Sequence, residues 1–114
     1  MTNKFFKVLL TGTFLTVGTA SASFSAECIA PANPGGGWDF TCRSITKIMY
    51  DIGAVDSPIQ VTNMAGGGGG LAYAHVVNER NSDSELIVAA SSATATRLAQ
   101  NAYSGMTYDQ VRFL

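Results

Sequence analysis

Two glycine-rich tracts carry the residues best suited to chemistry in this 114-residue chain. The first runs Pro34-Gly35-Gly36-Gly37-Trp38-Asp39, and the second spans Gly66 to Gly70. Glycine loses more backbone freedom on folding than any other residue, so such tracts are costly to order. Each stands just before a segment with helical periodicity, and there the cost has a physical use. The first turn of a helix leaves N–H groups unpaired, and the helix dipole places partial positive charge beside them. Bare of side chains, these N–H groups can approach an anion closely and hold it without Lys or Arg. The chemistry implied is anion binding by main-chain donors.

Phosphate and carboxylate compete as the anion. The Walker pattern needs Gly-Lys-Ser/Thr at the end of its loop, and no Lys follows either tract. The dinucleotide pattern fails as well, because its third glycine would fall on Leu71. A carboxylate is therefore the expected ligand. Asp39 either caps the first helix through its side chain or touches the ligand. Trp38 either walls a pocket or packs on its own loop, and Asn63 suits a turn after a strand. His75 has no second ligand at metal spacing, so neither a metal nor a cofactor is expected. Ser91 and Ser92 lack a basic partner to activate them, His75 being the sole histidine. Nucleophilic catalysis is thus unsupported, and the chain is not expected to be an enzyme.

Residues 1–22 read as a secretory signal peptide. Lys4 and Lys7 precede an uncharged run that ends in Ala20-Ser21-Ala22, a small-residue cleavage pattern. The alternative, a membrane anchor, meets an apolar core diluted by Thr and Gly and shorter than the ~20 residues of a span. Loss of Lys4 and Lys7 takes the formal net charge from −1 to −3, since all eight carboxylates lie beyond the signal. Nucleic acid and anionic membrane surfaces are poor partners for such a chain, because both require clustered cations. After export Cys28 and Cys42 meet oxidising conditions and can pair; two free thiols are the alternative.

The elements that position these residues alternate along the chain. A short strand over Ile29 to Ala32 is ended by Pro31 and Pro34. A helix follows from Asp39, with Cys42, Ile45, Met49 and Ile52 on one face and Ile48 beside them, stopped by Gly53. Ile59 to Thr62 forms a second strand, Leu71 to Glu79 a second helix, Glu85 to Ala90 a third strand, and Thr94 to Asn101 a third helix. This alternation implies a parallel sheet with helices on its faces, joined by right-handed crossovers. The loops Asn33–Trp38, Asn63–Gly70 and Ser91–Ala93 then fall on one sheet edge, where ligands of such folds bind.

Pro34-Gly35-Gly36-Gly37-Trp38-Asp39 before an amphipathic helix, then Val61-Thr62-Asn63 and Gly66 to Gly69 opening a second, resembles the substrate-binding receptors of tripartite tricarboxylate transporters. Tyr103-Ser104-Gly105-Met106-Thr107-Tyr108 is similar to a short tyrosine-bearing segment of those Bug-type periplasmic proteins. The resemblance spans Glu27 to Leu114. It implies a type II periplasmic-binding-protein fold, in which two hinged α/β lobes, each a three-layer parallel-sheet unit, close on a ligand. Residues 23–114 would be the N-terminal part of the first lobe, with the second lobe missing. Carried over, Gly35, Gly36, Gly37 and Trp38, with Gly66, Gly67, Gly68 and Gly69, supply amides to carboxylate oxygens. Asp39 flanks the first loop, Asn63 shapes the second, and Ser91 and Ser92 offer hydroxyls from the third. The Cys28 and Cys42 pair resembles the tricarboxylate-binding branch. Where the family commonly has Arg-Pro-Gly after the Asn, this chain has Met64-Ala65-Gly66.

The function implied is a monomeric periplasmic receptor that captures a di- or tricarboxylate such as citrate and delivers it to a membrane permease. Two alternatives remain: a carboxylate sensor or adaptor for a membrane signalling kinase, and an exported enzyme whose catalytic groups lie in the missing part.

Overall fold

Strand β1 (Glu27–Ala30) lies at the centre of a three-stranded sheet because both of its faces are apolar and buried. In the computed structural model, which describes residues 26–103 and 105–114, β1 pairs in parallel with β2 (Gln60–Asn63) and β3 (Leu86–Val88). The strand order is β2-β1-β3. The expected signal peptide, residues 1–22, lies outside the described residues. Helices α1 (Gly37–Asp51), α2 (Gly70–Glu79) and α3 (Ser92–Ala99) follow the three strands in turn, and a 3-10 turn over Gly67–Gly69 leads into α2. The chain is an α/β fold built on a parallel sheet.

Side-chain alternation along the strands decides which helix covers which face. Cys28 aligns with Val61 and Ile87, and this row packs with Ala30 and Cys42 under α1. Ile29 aligns with Thr62 and Val88 on the other face. There Val88 meets a cluster of Tyr73 from α2, Leu98 from α3, and Tyr103 and Met106 beyond it. Tyr73 and Tyr103 stack with ring centroids 5.9 Å apart. Burial pushes the Tyr73 hydroxyl up to about 12, and it donates to the Ala89 carbonyl at 3.2 Å.

Cys28 and Cys42 form a disulfide that ties β1 to α1. Because α1 begins at Gly37, two residues before Asp39, Cys42 falls in its second turn. A bond of this kind belongs to an oxidising, extracytoplasmic setting. Among the described residues no helix is long and apolar enough to cross a membrane.

Several boundaries differ from the sequence expectation. β1 starts at Glu27 and stops at Ala30, because Pro31 has no N–H to pair and the Ala32 N–H turns back to the Ala30 carbonyl at 2.7 Å. β2 extends to Asn63, which aligns with Ala30. β3 is shorter than Glu85 to Ala90, and its three residues are only half-buried at the sheet edge. The largest departure is in α1, whose buried residues are Asp39, Cys42 and Thr46, while Ile45, Ile48 and Ile52 are exposed. Gly53 does end α1, at a φ of +72°.

Candidate functional site

The parallel sheet places the ends of all three strands, and the N-termini of all three helices, on one side. Asp39 ties the first two loops together there. It is 3% exposed, in the first turn of α1, and its Oδ2 accepts the Gly35 N–H at 2.8 Å. Asn63, at the end of β2, donates from Nδ2 to Asp39 Oδ1 at 2.9 Å and to the Ala32 carbonyl at 3.1 Å. Arg43 Nη2 lies 3.0 Å from Asp39 Oδ1, and Arg43 Nε donates to Oδ2 at 3.0 Å. The helix cap itself is Gly36. Asp39 therefore bonds the loop from inside the helix and does not occupy the cap, and four donors share its carboxylate. Of the two roles expected of it, the geometry rules out capping: Asp39 is a brace between loops, joined by Asn63.

These donors hold the Asp39 carboxyl down to about 2, the Arg43 guanidinium contributing most, then the Gly35 amide and Asn63. A carboxylate depressed in the fold contributes stability above its ordinary value near 4, and loses it as the pH falls towards the folded value. Asp39→Asn should therefore melt lower at neutral pH and show a flatter decline between about pH 4 and pH 2 than the parent. Asp83, lowered by Arg80, leaves a residual slope in both proteins. Thermal melts across that window check this, and parallel curves would rule Asp39 out as the titrating brace.

The two glycine tracts meet. A Cβ built on buried Gly69 would stand 3.5 Å from Pro31 Cβ and 3.7 Å from the Trp38 ring. Trp38 is half-buried and also packs on the Cys28–Cys42 cluster, so it joins loop packing to the edge of the site. The supply of free amides is smaller than expected. In the first tract Gly35 donates to Asp39, and Gly36 donates to the Asn33 carbonyl at 2.9 Å. In the second, Gly69 donates to the Gly66 carbonyl at 3.0 Å, and Gly70 to that of Gly67. The N–H groups of Gly37, Trp38, Gly67 and Gly68 take no acceptor among the described residues. Gly66 contributes its carbonyl to the turn.

The third loop reaches the site by a different route. Ser91 caps α3 and Ser92 is its first residue, both exposed. The contacts to the second glycine tract come instead from Arg97 and Tyr103. Tyr103 is 5% exposed and donates its hydroxyl to the Gly68 carbonyl at 2.6 Å. Its ring edge would lie 2.9 Å from a Cβ on Gly70, so a side chain there would displace it. The Arg97 guanidinium covers Gly68: a Cβ at that position would run into its Nη1. Tyr103 was visible in the sequence as part of a tyrosine-bearing segment, whereas nothing in the spacing singled out Arg97.

Away from this edge, His75 Nδ1 lies 3.1 Å from Glu79 Oε2, and Arg80 bridges Glu27 and Asp83. A surface cleft of about 480 Å³ runs between α1 and β2, lined by Arg43, Thr46, Tyr50 and Val61 among others. It contains none of the glycines. Comparison with protein-family models, with curated proteins and with solved structures finds no match for the chain.

Proposed function

We propose that this chain is the ligand-binding part of an exported solute receptor, which captures a di- or tricarboxylate such as citrate in the periplasm. Delivery to the membrane permease of a tripartite tricarboxylate transporter would follow, as the motif resemblance implies. One observation carries this reading. Two glycine-rich loops are braced together by Asp39 and Asn63 at the C-terminal edge of a parallel sheet, and the N–H groups of Gly37, Trp38, Gly67 and Gly68 there have no acceptor among the described residues. Oriented amides of this kind favour the charge and lone-pair geometry of a carboxylate. The ordered pair of motifs, and a disulfide suited to an oxidising compartment, agree with the same assignment.

Calorimetric titration of the complete protein against citrate, malate, glutamate and an aromatic diacid tests it. Saturable binding of one of these acids, without turnover, is the expected result. No binding to any of the four would overturn the proposal, and turnover of a bound acid would favour an exported enzyme.

A further inference from the structure

We infer that Arg97 is a specificity-determining residue of this site, supplying the positive charge that selects an anionic ligand at the Gly67–Gly68 turn. The inference rests on the carboxylate-receptor reading and adds to it a side chain that the motifs do not include.

The charge balance leaves two cations, Arg97 and Arg112, without a carboxylate partner among the described residues, and of the two Arg97 lies against the second glycine tract. Among the described residues Arg43 pairs with Asp39, Lys47 with Asp51, and Arg80 with Glu27 and Asp83. The exposed Arg97 side chain has no carboxylate within ion-pair distance and no hydrogen-bond partner among the described residues, although its backbone carbonyl accepts the Ala102 N–H at 2.8 Å. Yet its guanidinium is laid against the main chain of Gly68, in the space that any larger residue at 68 would fill. Gly68 is fixed from its carbonyl side by the buried Tyr103 hydroxyl. The guanidinium thus lies at the turn whose Gly67 and Gly68 N–H groups also lack acceptors among the described residues. A cation and two amide donors at one turn are all without partners among the described residues. Their shared complement is an oxyanion, and a guanidinium fork fits the two oxygens of a carboxylate.

The position of Arg97 in the last turn of α3 also suits the helix dipole, so the test needs a readout that dipole stabilisation would not move. In the complete protein, Arg97→Gln should weaken citrate binding by about tenfold or more. It should also flatten the salt dependence of the affinity, while the melting temperature stays near that of the parent. Arg97→Lys should keep the salt dependence but bind less tightly than the parent, having lost the fork. An Arg97→Gln protein with the parent's citrate affinity and salt slope would overturn the inference alone. A parent protein that binds none of the four acids would remove the receptor reading and the Arg97 role with it. Affinity and melting temperature falling together, with the salt slope unchanged, would assign Arg97 a structural role and also overturn it.

Discussion

Replacing Cys28 and Cys42 together by alanine is expected to lower the unfolding free energy by about 3 kcal/mol. The bond closes a loop with a sequence separation of 14, and on chain-entropy grounds a loop of that size restricts the unfolded chain by about this much. The effect is large here because the rest of the core is small: three strands of four, four and three residues, with only the central one fully enclosed. Both cysteines are buried, at 2% and 0% exposure, so truncation also leaves a void between β1 and α1. Urea unfolding of the parent, of the parent with reductant, and of the double variant checks this. The last two should both unfold well below the first, the double variant lowest because of its added void. A double variant that unfolds with the oxidised parent would mean that packing alone sets the position of α1.

The order of elements was legible because its signals are local. Apolar runs of strand length, helical periodicity after each glycine tract, and stops at Pro31 and Gly53 all act within a few residues. The buried face of α1 was not legible. Ile45, Ile48 and Ile52 outrank Asp39 and Thr46 on any hydrophobic scale, yet they point away from the sheet. Cys42 is locked to β1, which sets the rotation of the helix, and the polar residues that this turns inward find partners. Thr46 Oγ1 donates to the Cys42 carbonyl at 2.8 Å, and Asp39 is met by Gly35, Arg43 and Asn63. Burial of a polar group is inexpensive once it is hydrogen-bonded, and that partnership is a tertiary fact. β3 shows the converse, since its apolar sequence sits at an edge with no strand beyond it among the described residues.

The same division runs through the candidate site. Glycines before helices were visible as loops at one sheet edge, because parallel topology alone brings them there. Which amides stay free was not visible, since Gly35 and Gly69 are consumed by partners that only the folded loops provide. The approach of Arg97 and Tyr103 to Gly68 spans about thirty residues of sequence and follows no periodicity. A binding site assembled from main chain is thus readable in outline from the glycines, while its charge depends on long-range packing.

Two glycine substitutions separate the role of the second tract from its backbone cost. Gly67 and Gly53 both adopt left-handed backbone, at φ +56° and +72°, and a Cβ on either would meet nothing within 4 Å. Valine is β-branched and strained in that region, so Gly67→Val and Gly53→Val should each cost about 1–3 kcal/mol of stability. Their positions differ completely. Gly53 follows the C-terminus of α1, at the edge opposite the loops, whereas Gly67 opens the turn with two amides that have no acceptor among the described residues. If a carboxylate sits on those amides, Gly67→Val fills the space it needs and turns its donors away. Loss of two charge-assisted hydrogen bonds, at roughly 1.5 kcal/mol each, corresponds to about a hundredfold loss of citrate affinity. Gly53→Val should bind citrate like the parent at any temperature where it is folded. Titration of both variants well below their melting temperatures reads the difference. Equal affinities would move the carboxylate away from the second tract, and equal losses would trace the effect to general destabilisation and not to the site.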